Sequence, residues 1–130
     1  MYRATTRNIQ ITAKPEYVAE RSSPKDGEYF WAYTIEIINL GRMPVQLVTR
    51  HWKITDANGR VEEVRGPGVV GKQPLLRPGE RFEYTSGVPL STPSGLMAGT
   101  FQMVADDGEG FDAVVPAFSL DAPHAKRVVH

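Results

Sequence analysis

The sequence predicts an all-β fold, an antiparallel β-sandwich of about seven strands of the fibronectin type III or immunoglobulin-like kind. Three observations lead there. Apolar residues recur at every second position, β-branched and aromatic residues fill these runs, and turn residues separate them at short intervals. Ten prolines and twelve glycines leave little room for a long helix. Because the chain has no cysteine, the disulfide of antibody domains is excluded and the fibronectin type is nearer.

The strand-like runs follow one another along the chain in the order NIQITA, YFWAYTIEIINL, VQLVTRHWKITD, RFEYTSGV, TFQMVA and GFDAVVPAFSL. Their shared phase predicts that one set of side chains is mostly buried between two sheets. That set is Trp31, Ile35, Trp52, Phe82, Tyr84, Phe101 and Phe111. Pro116 cannot donate to a ladder, so the last strand must kink, bulge or run along an edge there.

The length of 130 residues suits a single domain over 1–130. Residues 121–130, DAPHAKRVVH, lack periodicity, and we expect them to form a loose C-terminal tail. The N-terminal residues show no secretory signal, and no window approaches the length of a membrane span. These features favour a cytoplasmic protein with no membrane partner.

The net charge is zero, with 15 basic and 15 acidic residues, which argues against a dedicated nucleic-acid-binding protein. The charges are unevenly distributed. Residues 42–81 hold eight basic side chains against four acidic ones, whereas residues 82–121 hold six acidic side chains and no basic one. We expect the two segments to pair across strands and cancel.

One stretch, RGPGVVGKQP at 65–74, contains the G-x-G-x-x-G pattern of phosphate-binding loops. Pro74 and Pro78 forbid the helix that a dinucleotide site needs, and Gln73 stands where a Walker loop has Ser or Thr. The glycines therefore either let the chain turn and approach a neighbour closely, or form an anion nest without a helix. The candidate ligand-binding residues are Arg65, Gly66, Gly68, Gly71, Lys72 and Gln73. We expect an ordered loop between strands that binds nucleotides weakly or not at all.

Other chemistry finds little support in the sequence. His51, His124 and His130 share no metal-ligand spacing, and His51 is expected to face solvent or a sheet edge. The run Asp106–Glu109 lacks the spacing of a calcium loop and is more typical of a hairpin turn. No nucleophile–base pair can be named. We therefore expect no enzyme, no catalytic residues, no metal site and no cofactor.

Three stretches taken together resemble the ApaG family of bacterial proteins: RHWKITDANGR at 50–60, the run from Val64 to Val104, and FDAVVPAFSL at 111–120. The resemblance extends from about residue 3 to Leu120, and its one small departure is Val115, where isoleucine is expected before Pro116. It implies a fibronectin-like sandwich and no established catalytic residues. Only the glycine loop, Gly66 to Gln73, can be carried over from it.

The family's bacterial members are linked by genetic neighbourhood to diadenosine tetraphosphate breakdown, and by the name CorD to cobalt and magnesium resistance. ApaG-like domains also occur in eukaryotic F-box and polymerase-interacting proteins, which implies a protein-binding module. We therefore expect a non-enzymatic module that binds another protein through a sheet face or edge, with a homo-oligomer left open. The alternatives are a module that holds a phosphate-bearing anion or nucleotide at 66–73, and a metal-resistance protein.

Overall fold

The computed structural model describes residues 2–123, and over this range it confirms a sandwich of two antiparallel sheets. Its nine strands are β1 (Tyr2–Thr6), β2 (Ile9–Tyr17), β3 (Tyr29–Asn39), β4 (Val45–Asp56), β5 (Val61–Pro67), β6 (Leu75–Leu76), β7 (Arg81–Leu90), β8 (Ser94–Ala105) and β9 (Gly110–Asp121). Two short 3₁₀ turns, Ala19–Arg21 and Pro24–Asp26, lie between β2 and β3. In this part of the chain no helix is long and apolar enough to cross a membrane.

The first sheet has the order β1-β2-β3-β7 and the second has the order β5-β4-β8-β9, with β6 also paired to β4. Residues 2–123 form nine strands, whereas about seven were expected. Strands β1, β5 and β6 were not predicted, because their sequences show no clear apolar alternation. The sequence of β5, VEEVRGP, is charged and mostly exposed, as suits a strand at the edge of a sheet. The hairpin of β1 and β2 turns through Arg7 and Asn8, whose φ angles are +45° and +65°.

The core lies between the two sheets. Trp31, Ile35, Trp52, Tyr84 and Phe101 are buried there, as predicted. The indole of Trp52 meets the rings of Tyr33, Phe101 and Phe118 at centroid distances of 5.5, 5.9 and 6.2 Å.

Phe82 and Phe111 were predicted to be mostly buried as well, and both rings are partly buried against the core. Each lies one residue inside the start of its strand, β7 or β9, at the margin of the sandwich. The guanidinium of Arg7 lies 5.2 Å from the centre of the Phe111 ring, and it covers part of that ring in place of the opposite sheet.

The two sides of the sandwich differ. On one side, β1 covers the free edge of β9: the hydroxyls of Thr6 and Tyr2 accept hydrogen bonds from the main-chain N–H groups of Val114 and Ser119, at 3.1 and 3.4 Å. The pairing of β8 with β9 shifts register opposite Pro116, which confirms a bulge on an edge strand. On the other side, β5 and β7 are edge strands, each paired to one neighbour, and we call this the open side.

The expected pairing of segment 42–81 with segment 82–121 is wrong for the described residues, among which no ion pair joins the two. Glu109 instead pairs with Arg7 at 2.9 Å, and Arg81 with Glu36 at 3.3 Å. Adjacent strands do bring the segments together, but the charged side chains on them are not opposite each other. At the C-terminus, β9 ends at Asp121 and the N–H of Ala122 donates to the carbonyl of Pro93. The rest of the predicted tail, 124–130, lies outside the described residues.

Candidate functional site

The glycine-rich stretch forms a small hairpin between β5 and β6. Val69 and Lys72 exchange two main-chain hydrogen bonds of 2.8 and 2.9 Å around the two-residue turn Val70–Gly71. The φ angles of this turn are +45° and +79°, which are those of a type I′ turn. The two-residue strand β6 follows the hairpin, so the prediction that no helix follows Gly71 is confirmed.

Each glycine of the G-x-G-x-x-G pattern has a structural reason to be glycine. A Cβ on Gly66 would lie 3.0 Å from Nη2 of Arg50, whose guanidinium crosses it. A Cβ on Gly68 would lie 2.9 Å from the carbonyl carbon of Lys72 and closer still to its oxygen, and Gly68 has φ +60°. Gly71 has open space around it, but its φ of +79° favours glycine.

The N–H groups that an anion nest would use are largely occupied. Those of Val69 and Lys72 close the hairpin, and that of Gly68 donates to the carbonyl of Val48 at 2.8 Å. The Nε2 of Gln73 donates to the same carbonyl at 2.9 Å, which fixes the hairpin to a bulge in β4.

A cavity of about 580 Å³ lies on the outer face of the sheet β5-β4-β8-β9. The floor of the cavity is formed by four residues that are consecutive cross-strand neighbours: Pro67, Thr49, Gln102 and Asp112. Arg65 and His51 form the next row. Of the six predicted ligand-binding residues, Arg65 and Gly66 line this cavity, and Gly68, Gly71, Lys72 and Gln73 lie outside its lining.

Hydrogen bonds hold the polar floor in place. The hydroxyl of Thr49 donates to Oε1 of Gln102 at 2.8 Å, and Nε2 of Gln102 donates to the hydroxyl of Thr100 at 2.9 Å. The same Nε2 lies 3.4 Å from Oδ1 of Asp112. The Gln102 amide is therefore oriented by its neighbours, which leaves a pre-formed polar surface.

His51 lies on the outer face of β4, as expected, with 29% of its side chain exposed. Its Nε2 is 2.9 Å from Oε1 of Glu63, and Nη2 of Arg65 is 3.9 Å from the same oxygen. The hydrogen bond with His51, aided by the nearby positive charges, lowers the pKa of Glu63 below its ordinary value. Within residues 2–123 no group of three or more His, Asp or Glu side chains is placed to hold a metal ion.

The run Asp106–Glu109 forms the turn that the sequence favoured. It joins β8 to β9, with Gly108 at φ +87° and the N–H of Glu109 donating to Oδ1 of Asp107 at 2.9 Å. The carboxylate of Asp107 therefore shapes the turn, and that of Glu109 pairs with Arg7.

Exposed apolar side chains surround the polar floor. Residues 2–123 place eight large apolar side chains at the surface, and five of these belong to the outer face of the sheet β5-β4-β8-β9 and its β6 extension: Val61, Leu75, Leu96, Val104 and Val114. None of the eight lies on the outer face of the other sheet. This set was not predicted from the sequence, although Val104 and Val114 stand out as apolar residues in the polar phase of their strands.

Comparisons with known proteins agree with this architecture. The ApaG domain matches residues 19–105. Two proteins named Protein ApaG, from Azorhizobium caulinodans and Xanthobacter autotrophicus, are 65% and 63% identical to the chain over 130 residues. Each match covers 100% of this chain and 100% of the relative. The crystal structure of the Bordetella pertussis ApaA protein is 50% identical, with a TM-score of 0.87 over 90% of this chain and 95% of that one. The chain belongs to the ApaG family.

Proposed function

We propose that the chain is a non-catalytic interaction module that binds a segment of another protein on the outer face of the sheet β5-β4-β8-β9. The observation that carries this proposal is the asymmetry between the two outer faces. Among residues 2–123, five of the large exposed apolar side chains lie on one face, around a polar cavity, and none of them lies on the other. Apolar surface grouped in this way is typical of protein-binding sites.

The extent of the face favours a protein over a small ligand. Leu96 and Val104 lie eight residues apart on β8, which is about 26 Å at about 3.3 Å per residue. A small molecule in the cavity could not contact both. An extended segment of a partner could cover both ends and bury the polar floor between them, where Gln102 and Asp112 offer hydrogen bonds. We place this activity in the cytoplasm.

The alternative, a phosphate-bearing anion or nucleotide at 66–73, has one observation in its favour. Arg65 lines the cavity beside Gly66 and brings positive charge to its edge. The occupied N–H groups of Gly68, Val69 and Lys72 weigh against it. Titration with a dinucleoside polyphosphate would support this alternative if resonances of 65–73 shifted saturably and Lys72→Ala removed the response.

Capture of partners from a native bacterial extract tests the main proposal. The tagged chain is compared with a variant of the proposed face, Val104→Glu with Val114→Glu, and with a control on the other outer face, Thr34→Glu with Thr85→Glu. The hydroxyls of Thr34 and Thr85 are 2.8 Å apart on that polar face. We expect a specific partner to be retained by the control and lost from the first variant. Equal retention by both variants would contradict the proposal.

A further inference from the structure

The guanidinium of Arg50 points between the two sheets with part of its donor set unused. Arg50 shares the inward face of β4 with Trp52, which is 3% exposed. Its Nη1 donates to the carbonyls of Pro67 and Gly68 at 2.9 and 3.0 Å. Within residues 2–123, Nη2 and Nε have no hydrogen-bond acceptor, and no carboxylate pairs with this side chain. Arg50 is only partly buried, and neither nitrogen is among the buried atoms without a partner, so both are open to a ligand.

Tyr84 supplies a second unmatched group on the same open side. The residue is 7% exposed on the inward face of β7, and its hydroxyl is buried with no hydrogen-bond partner among the described residues. Buried hydroxyls without a partner are rare in folded proteins. Burial raises the pKa of this phenol, and the Tyr33 phenol beside it acts in the same direction, while the charge of Arg50 opposes both. The hydroxyl therefore stays protonated and is a donor.

We propose that Arg50 and Tyr84 form an oxyanion site on the open side of the sandwich, between β5 and β7, which takes a carboxylate or phosphate group. Nη2 and Nε of Arg50 form a two-pronged donor that matches the spacing of two oxygens on such a group. The Tyr84 hydroxyl adds a neutral donor. This site differs from the glycine-hairpin alternative, because side chains of β4 and β7 hold the anion and the hairpin N–H groups do not.

Titration with sodium phosphate and with sodium acetate, at ionic strength held constant with sodium chloride, tests the proposal. We expect the Arg50 Nε–H resonance to shift saturably and the melting temperature to rise. Tyr84→Phe should weaken the affinity about ten-fold, as expected for one hydrogen bond to a charged group. Arg50→Gln should abolish the response. A response to phosphate alone identifies phosphate groups as the natural ligand, and a response to acetate identifies carboxylates.

Tyr84→Phe keeps the test decisive if Arg50→Gln fails to fold. Because the hydroxyl has no partner in the free protein, the phenylalanine variant should melt at the same temperature as the wild type, or higher, when no anion is added. Arg81→Gln is the matched control, since Arg81 pairs with Glu36 on the outer face of the other sheet. Three results would overturn the proposal: a response no larger than that to sodium chloride, binding unchanged in Tyr84→Phe, or binding lost only in Lys72→Ala.

Discussion

Alanine in place of Gly68 should destabilise the fold far more than alanine in place of Gly71. Of the two glycines, only Gly68 lies in close contact with other main-chain atoms, those of Lys72. Both glycines have positive φ, +60° and +79°, so each alanine costs about 1–2 kcal/mol in backbone conformation. At Gly71 nothing lies within 4 Å of the new Cβ, and the cost ends there. At Gly68 the Cβ would overlap the carbonyl of Lys72, so the hairpin must open.

Opening the hairpin loses the two hydrogen bonds between Val69 and Lys72, each with a net value of about 0.5–1.5 kcal/mol. The free energy of unfolding should therefore fall by about 2–5 kcal/mol in Gly68→Ala and by about 1–2 kcal/mol in Gly71→Ala. Urea denaturation of both variants measures the difference, and hydrogen exchange at the Lys72 amide locates it. Equal losses of stability in the two variants would refute the conclusion that the close approach of Gly68 to Lys72 requires a glycine.

Four further predictions concern the core, the turn and ligands. Trp52→Ala should lower the free energy of unfolding by about 3–5 kcal/mol, and a urea melt showing less than about 1 kcal/mol would contradict the aromatic cluster. Val70 is a β-branched residue at φ +45°, so Val70→Asn should raise stability by about 1 kcal/mol, and a lower melting temperature would argue against strain there. ATP should bind residues 65–73 with a dissociation constant no better than about millimolar, and saturation at micromolar ATP in an NMR titration would overturn this. Calorimetry with cobalt and magnesium should show no tight site, whereas low-micromolar binding lost on mutation of His51 or Asp107 would show one.

The central strands could be predicted from the sequence because burial on one face imposes a strict phase. In β3, Trp31, Tyr33, Ile35 and Ile37 are all buried, and the alternation is visible without any structure. The edge strand β5 obeys no such constraint, since most of its residues are exposed. Local alternation also cannot show how far the opposite sheet extends, so it does not separate the partly buried Phe82 from fully buried residues such as Trp31.

The candidate site could be predicted only in part. The glycine pattern and Arg65 could be identified from the sequence, because they lie within ten consecutive residues. The cavity floor depends on register across four strands, which brings residues 49, 102 and 112 side by side. The bulge after Leu47 sets this register, and no pattern in the sequence predicts that bulge.

Site-specific photo-cross-linking tests most directly whether the outer face of the sheet β5-β4-β8-β9 binds another protein. A photoreactive phenylalanine analogue replaces Thr100 on that face, beside Val114, or Thr34 on the outer face of the other sheet. After irradiation in living bacteria, we predict one dominant protein adduct from position 100 and none from position 34. Adducts of equal yield from both positions, or from position 34 alone, would contradict the assignment of the binding face.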